Sequence, residues 1–402
     1  MLDFIRRNSR WLAAGFLLSM FSSFGQTFFI GLSGLEFQAR LGLTGGEFGL
    51  LYMLATIGSA LTLPWLGRVL DFMRGGKVAA FVMPGLAGAC LLAAWSPNVI
   101  MLALAIYLLR LFGQGMMTHI AQTETARSFA ANRGRAISLI LPGHQAGEAI
   151  LPVTFVLVSA VLGWQGAWVA AAIFIALVGM PIIVKLLAKP RAPQRADIAM
   201  DERIRVRDWT RSEVVRDPVF YLLLAGVLAP PFIGTTIFFH QGHLVAIRGY
   251  DQLAFAAAFP VMAATTVAFA LVCGHLIDRF GAVRLLPFLL APILVASVAA
   301  AAIEAIWGIY LFMFLFGVSY GLTSTMIGAL WPEIYGVGHL GAVRSLVVSA
   351  MVLSTAVGPG LTGALIDRGF SLPDQMWWMA AWCVVATGAL TMARFRIAHR
   401  GA

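Results

Sequence analysis

Charged side chains are scarce in this sequence. Asp, Glu, Lys and Arg together make up 11% of the 402 residues, whereas 60% of the residues are hydrophobic. A soluble globular protein carries about 25% charged residues, so this chain could not cover a water-facing surface. Lipid is the alternative solvent, because apolar side chains face outward there while helices satisfy their own backbone groups. The composition therefore predicts an all-α integral membrane protein.

Cysteine is also rare, and signatures of ATP-driven and zinc-dependent chemistry are missing. Cys90, Cys273 and Cys383 lie in separate apolar stretches without a CxxC spacing, which predicts buried free thiols and neither a disulfide nor a metal site. The sequence contains no GxxxxGKS or GxxxxGKT loop for ATP and no HExxH. We therefore expect no enzyme and no cofactor. A membrane enzyme or a sensor is a third, less favoured class of function.

Long apolar runs dominate what remains. The formal net charge is +10, but the positive residues are spread over many loops and form no compact basic domain, so no nucleic-acid partner is expected. About 20 apolar residues cross a bilayer. Twelve such runs, spans 1 to 12, occupy residues 11–32, 47–67, 78–96, 99–120, 136–160, 166–187, 218–240, 252–276, 285–303, 306–329, 343–365 and 375–394.

The loops between these spans carry positive charge asymmetrically. With the N-terminus in the cytoplasm, 24 Lys and Arg residues fall on the cytoplasmic side. Only Arg40, Arg248 and Arg368 fall on the other side. This asymmetry predicts a plasma (inner) membrane protein with both termini in the cytoplasm.

One gap between spans is long and divides them into six and six. It covers residues 188–217 and is rich in Arg, Asp and Glu. It predicts a cytoplasmic central loop between an N-terminal bundle, residues 1–187, and a C-terminal bundle, residues 218–402. The loop holds either a short surface helix around residues 205–216 or a solvated linker.

Two short patterns recur in the two halves. Residues 25–29 in span 1 (GQTFF) correspond to residues 234–238 in span 7 (GTTIF), at an offset of 209 residues. The GxxxD pattern at residues 67–71, after span 2, recurs at residues 274–278, after span 8, at an offset of 207 residues. The similar offsets and equivalent positions predict two six-helix halves in parallel orientation.

The second of these loops carries a family resemblance. Residues 274–284 (GHLIDRFGAVR) are similar to the GxxxDRxGxxR loop of the major facilitator superfamily, residues 67–77 form a related loop, and residues 110–115 (RLFGQG) resemble the family's RxxxG motif in the fourth span. Residues 331–336 (WPEIYG) resemble a loop of monocarboxylate and oxalate/formate-type carriers. The resemblance implies a monomeric twelve-helix secondary transporter that works by alternating access.

The resemblance also implies a role for the two loops in conformational gating. The residues concerned are Gly67, Asp71, Arg74, Gly274, Asp278 and Arg279. Gly67 and Gly274 are expected to let helix ends pack closely. Asp71 is expected to pair with a nearby arginine or with a helix N-terminus. The alternative is a solvated turn with incidental charges.

One base and one acid lie deep inside spans. Arg110 is near the middle of span 4 and Glu148 near the middle of span 5, at depths that differ by only ~3 Å for a rise of 1.5 Å per residue. Gln114 shares a helix face with Arg110, and His144 shares one with Glu148. Because a charge at the bilayer centre costs roughly 2.5–3.5 kcal/mol, the two charges are expected to pair or to face a wet cavity. A purely structural ion pair is the alternative.

Other polar side chains are weaker candidates for substrate contact. They are Gln26 and Thr27 in span 1, Thr235 and Thr236 in span 7, and Tyr320 and Ser324 in span 10. Hydroxyl groups in helices often bond their own backbone instead. His240 and His243, at the end of span 7, are interpreted as an interfacial pair rather than a metal site.

Together these residues predict a proton-linked carrier for a small organic anion such as a monocarboxylate. Arg110 would bind the anion, and Glu148 with His144 would handle the proton. The alternative is a drug or cation efflux antiporter of the same superfamily. Such antiporters often carry a Gly-Pro motif in span 5, where this chain has Pro142-Gly143; a Gly-Pro pair occurs instead at Gly358-Pro359 in span 11.

Overall fold

The computed structural model describes residues 2–129, 133–189, 208–336 and 339–399. Within these ranges every regular element is a helix. Eleven helical segments of the described chain are long and apolar enough to cross a bilayer. They are Phe4–Gly31, Gly45–Gly67, Gly75–Trp95, Val99–Ser128, Arg135–Leu187, Pro218–Phe239, Gln252–Phe280, Ala282–Ala302, Ile306–Tyr335, Ala342–Asp367 and Leu372–Ala398.

The fifth segment is two spans joined by one non-helical residue. Gly163, inside the helix Pro142–Ile173, has φ 72° and ψ 164°. Essentially only glycine adopts this conformation, and it breaks the helix between predicted spans 5 and 6. The twelve predicted spans are therefore all present. Several helices extend past the predicted apolar runs, as span 4 does to Ser128 and span 10 to Tyr335, because polar residues continue a helix beyond the hydrocarbon.

Several spans are interrupted within the bilayer-crossing length. Span 1 consists of Leu2–Phe21, a 3₁₀ turn at Ser22–Gly25 and Thr27–Gly31, whereas spans 4 and 6 each contain a π-helical stretch. Span 5 consists of Arg133–Ile140 and the part of Pro142–Ile173 before Gly163. The pieces of the other interrupted spans are Pro218–Val227 and Ala229–Phe239 in span 7, Gln252–Ala256 and Phe259–Phe280 in span 8, and Ala282–Leu285, Leu286–Phe288 and Ala291–Ala302 in span 9.

Short helices occur between the spans. They are Gly34–Leu41, Val69–Phe72, Arg211–Arg216 and Gln241–Arg248. The sequence predicted either a short surface helix or a solvated linker around residues 205–216. The helix Arg211–Arg216 lies in this region, so the described part of the chain supports the helix. Thr210 caps this helix by a reciprocal bond with Glu213.

The chain forms two compact units. The first comprises Met1–Thr44 and Leu50–Glu202, and the second comprises Gly45–Gly49 and Arg203–Ala402. In the first unit, span 1 packs against spans 4, 5 and 6. In the second unit, span 8 packs along span 10, span 9 against spans 10 and 12, and span 7 against spans 11 and 12. The predicted domain boundary at residues 188–217 stays a prediction, because residues 190–207 lie outside the described ranges.

The break at Gly163 generates a prediction about stability. Gly163→Ala should destabilise the protein by about 1–3 kcal/mol, because an L-residue is strained at this φ and ψ. Gly388→Ala is a matched control: a Cβ there also meets open space, and Gly388 lies inside a regular helix. Alanine should leave stability unchanged or raise it by about 0.5–1 kcal/mol at that position. The apparent melting temperature in detergent measures both, and equal effects would contradict the assignment of strain.

Candidate functional site

The site is built around the break in span 1. Its first helix ends at Phe21, a single 3₁₀ turn follows, and Gln26 is extended at φ −83° and ψ 156° before the helix resumes at Thr27. An interrupted helix presents backbone carbonyl groups that lack their usual helical partners. Inside a bilayer these groups need another donor. The break therefore supplies acceptors at the depth where span 1 contacts spans 4 and 5.

Span 4 meets this break through backbone contact. A Cβ at Gly25 would lie 2.0 Å from the carbonyl oxygen of Leu109, and a Cβ at Gly113 would lie 2.6 Å from the Cα of Gly25. Both positions therefore require glycine. The contacting part of span 4, Leu109–Met117, is π-helical, a local widening that is frequent at functional sites. The amide of Gln114 lies at the same contact.

Arg110 projects from the π-helical segment and is buried, with 2% of its surface exposed. Its Nη1 donates to the carbonyl of Gly25 at 3.3 Å and to Oγ1 of Thr27 at 3.4 Å. The guanidinium lies over the ring of Tyr52, 5.4 Å from its centroid, and the Tyr52 hydroxyl bonds Thr27 at 2.6 Å. The buried Nε has no hydrogen-bond partner among the described residues. Within the described ranges, every hydrogen-bond and ring partner of this cation is therefore neutral.

Glu148 lies on the side of span 5 that touches the same break. It is 4% exposed, and its Oε1 lies 3.3 Å from Nε2 of His144. Its buried Oε2 has no hydrogen-bond partner within the described chain. The ring of Phe28 lies edge-on to His144 at 6.4 Å. The adjacent Gly147 packs so closely that a Cβ would lie 2.1 Å from Oγ of Ser23.

A direct ion pair between Arg110 and Glu148, one of the arrangements expected from the sequence, is not formed. Among the described residues no carboxylate oxygen of Glu148 lies within 4.0 Å of Arg110. The break explains the difference, since it provides the carbonyl of Gly25 as an acceptor for Arg110. His144, and not Arg110, is the partner of Glu148. Both charged groups instead contact the interrupted span 1 or the residues packed on it.

Tyr52 is a member of this cluster that the sequence did not indicate. It lies inside an apolar run of span 2 and is fully buried. Nothing about its spacing distinguishes it from a core aromatic residue. Gln26, in contrast, was a candidate and lies at the extended residue of the break itself, half-buried.

The candidates in the second unit are arranged differently. The hydroxyl of Thr235 donates to the carbonyl of Pro231 at 2.6 Å, and that of Ser324 to Gly321 at 3.1 Å, so both bond their own helices. Thr236 is buried, and its Oγ1 has no partner in the part of the chain that the structure describes. Tyr320 stacks on a neighbouring phenylalanine. Substrate contact by these residues stays a prediction.

The histidines at the end of span 7 show no metal-binding arrangement. Nε2 of His240 lies 2.9 Å from the carbonyl of Pro359. Among the described residues no group of three or more His, Cys, Asp or Glu side chains could hold a metal ion. The three cysteines are free and buried.

The two GxxxD loops differ in their packing. A Cβ at Gly67 would lie 3.0 Å from the ring of His119, so span 2 packs closely on span 4 there, as expected. For Gly274 the expectation is wrong: no atom of the described chain lies within 4 Å of a Cβ placed there, because the position faces open space. The side chain of Asp71 lies outside the described residues.

Three charged residues of these loops are exposed. Arg74 and Asp278 are exposed. Arg279 is also exposed, and its guanidinium lies 5.2 Å from the ring centre of Phe280. Their gating role stays a prediction.

Two glutamates that sequence reasoning missed hold these loops in place. Oε2 of Glu124, near the end of span 4, accepts from the amide of Gly75 at 3.2 Å. In the second unit, Glu333, near the end of span 10, accepts from the amides of Ala282 at 2.7 Å and Val283 at 3.3 Å. Each carboxylate thus caps the helix after the loop, a favourable place for negative charge. The two positions are 209 residues apart. The repeat in spans 1 and 7 has the same offset, so this offset could have identified the two glutamates as equivalent residues.

Comparison with known proteins decides the family. The model of the Major Facilitator Superfamily matches residues 15–359. The chain belongs to the major facilitator superfamily. Among curated proteins no sequence matches it.

Solved structures of other superfamily members share the fold. A bacterial homologue of the human lysosomal transporter Spinster, in an inward-facing and occupied conformation, is similar with a TM-score of 0.75 at 15% identity, covering 96% of each chain. The nucleoside transporter NupG is similar with a TM-score of 0.72 at 14% identity, covering 96% of this chain and 99% of its own. At these identities the similarity shows the fold alone. As a major facilitator, the chain is a multi-pass membrane protein that transports small solutes.

The glutamate caps generate a prediction. Glu333→Ala should lower stability by about 0.5–2 kcal/mol, the usual cost of losing a helix cap, because the amides of Ala282 and Val283 lose their acceptor. Asp278→Ala is a control that also removes a carboxylate in the same unit. Asp278 is exposed, and substitutions at exposed positions usually change stability by no more than about 0.5 kcal/mol. The apparent melting temperature should fall more for Glu333→Ala than for Asp278→Ala; a larger fall for Asp278→Ala would contradict the capping role.

Proposed function

We propose that this transporter carries a small organic anion, such as a monocarboxylate, together with a proton. The observation that carries the proposal is the pair of buried ionisable groups beside the break in span 1. Arg110 and Glu148 each keep one buried polar atom without a partner in the described chain. Intramembrane ionisable residues usually mark substrate or proton pathways.

Arg110 is the group that would bind the anion. Its partners, the carbonyl of Gly25 and the hydroxyl of Thr27, orient the guanidinium but leave its positive charge uncompensated. A carboxylate supplies the missing charge and matches the planar fork of hydrogen-bond donors. Tyr52 supports the cation through its ring face. A buried cation held in this way also disfavours the alternative, a carrier of cations, because it would repel the substrate.

Glu148 and His144 form the proposed proton site. The two side chains are in hydrogen-bond range, and 22% of the His144 side chain is exposed against 5% for Glu148. His144 is therefore the member through which a proton would reach the buried carboxylate. An imidazole suits this role because it exchanges protons near neutral pH.

Coupling in this proposal is electrostatic and needs no direct ion pair. Charges attract over longer distances inside a protein than in water, because the effective dielectric constant is lower. When a substrate anion neutralises Arg110, an ionised Glu148 loses a favourable positive charge in its surroundings. Binding of a proton at Glu148 then compensates. Anion and proton would therefore load together, so that no uncompensated charge is buried.

The role of Arg110 is tested by Arg110→Lys, which keeps the charge but loses the planar fork. Uptake of labelled formate, lactate and oxalate into proteoliposomes should fall about tenfold or more, since a hydrogen bond to a charged group contributes about 1.5–3 kcal/mol. Arg40→Lys serves as the control, because Arg40 is exposed and donates to the carbonyl of Ala94 outside the cluster. Uptake by Arg110→Lys at the level of Arg40→Lys would exclude anion binding at Arg110.

The proton site generates a separate prediction. Wild-type uptake should be faster when the outside is acidic, because the proton gradient drives entry. Glu148→Gln should still exchange labelled for unlabelled substrate across the membrane but should lose acceleration by an imposed proton gradient. Glu124→Gln, at the end of span 4, is the matched carboxylate control and should keep that acceleration. If Glu148→Gln still concentrates substrate when the outside is acidified, Glu148 is not the coupling residue.

A further inference from the structure

A long apolar groove lies within the second unit, along spans 7, 11 and 12. Its volume is about 520 Å³. On span 11 its lining extends from Ala350 to Leu365, a length of about 22 Å at 1.5 Å rise per residue. The lining of this groove follows the axis of span 11 over that length, which suits an extended aliphatic chain.

The groove opens to the surface that the bilayer covers. Leu353, Leu361, Trp378 and Trp382 line it, and about half of each side chain is exposed. Spans 11 and 12 cross the membrane, so hydrocarbon is the medium at this opening. A groove of this kind fills with lipid, because leaving it empty would forfeit the contacts of its lining.

One end of the groove is polar. Thr362 and Gln375 line it there and are almost completely buried. Nε2 of Gln375 donates to the carbonyls of Thr362 at 3.3 Å and Phe370 at 3.0 Å. Arg368 follows one turn after Leu365, at the end of span 11, and is exposed. The apolar lining, its polar end and the exposed arginine therefore follow one another along the groove. A ligand with an aliphatic tail and an anionic head would match this order.

Arg368 differs from the other two arginines at this side of the spans. Arg40 donates to the carbonyl of Ala94 at 3.0 Å and lies over the ring of Trp164. Arg248 pairs with Glu304 at 3.2 Å. The one hydrogen bond that the Arg368 guanidinium donates within the described chain is a long one, 3.4 Å, to the carbonyl of Ala364. Of the three guanidinium groups, that of Arg368 is therefore the most available to an anion from outside the chain.

We propose that this groove binds a phospholipid of the surrounding bilayer. One acyl chain lies along span 11, and the phosphate pairs with Arg368. Guanidinium and phosphate form strong, directional hydrogen bonds. Trp378 and Trp382 flank the acyl chain near the interface, where tryptophan is enriched in membrane proteins. This site is separate from the cluster around Arg110 and does not depend on the proposed substrate.

Native mass spectrometry of the purified full-length protein tests the proposal. The probes are phosphatidylglycerol and a diacylglycerol with the same acyl chains. Wild type should retain one phosphatidylglycerol and bind it about tenfold more tightly than the diacylglycerol. Arg368→Gln should abolish that preference. Equal retention of the two lipids by wild type would overturn the phosphate contact.

A second experiment tests the acyl-chain contact by filling the groove with a larger side chain. Ala350→Phe should weaken phosphatidylglycerol binding about tenfold, whereas Ala381→Phe, on an exposed position of span 12 outside the groove, should not. Lipids with brominated acyl chains should quench the tryptophan fluorescence of wild type more than that of the double variant Trp378→Phe/Trp382→Phe. This measurement locates the acyl chain even if Ala350→Phe fails to fold. Unchanged binding by a folded Ala350→Phe, or quenching that does not depend on the two tryptophans, would overturn the site.

Discussion

Burial of the Arg110 guanidinium is the constraint on which the surrounding structure depends. A guanidinium inside a bilayer needs acceptors at its own depth, and the carbonyl groups of a regular helix are already bonded within that helix. The 3₁₀ turn and the extended Gln26 free the carbonyl of Gly25, and the π-helical stretch of span 4 brings Arg110 against it. Glycine at positions 25 and 113 allows the backbones to touch. The irregular backbone of spans 1 and 4 and the glycines at positions 25 and 113 therefore act together to accommodate the buried guanidinium.

The two halves of the chain share a framework but differ in chemistry. Glu124 and Glu333 occupy equivalent positions and cap equivalent helices, which is what duplication of a six-helix unit predicts. The charged cluster occurs in the first unit, whereas the positions 209 residues after Arg110 and Glu148 are the neutral residues Ser319 and Val357. The framework that orients the helices has thus been retained in both halves, while the residues that would recognise a solute and a proton are concentrated in one.

Much of the fold could be predicted because its signals are local. Apolar runs of bilayer length are visible in the sequence, and all twelve spans and the superfamily assignment are confirmed. The ends of the helices were predicted less well, since span 4 continues to Ser128 and span 10 to Tyr335. The expected close packing at Gly274 was wrong because a glycine in a motif does not show which neighbour, if any, approaches it.

The sequence by itself determined which ionisable groups lie in the membrane, because burial of Arg110 and Glu148 follows from their position within apolar runs. Only the tertiary structure decided their partners. The carbonyl of Gly25 is 85 residues away from Arg110 in the chain, and every residue has a carbonyl group, so no residue type marks the acceptor. The break that frees this carbonyl contains no proline, and it lies where spans 4 and 5 contact span 1. The expected ion pair is therefore replaced by two sites, because a backbone carbonyl is a partner of Arg110 and a neighbouring histidine is the partner of Glu148.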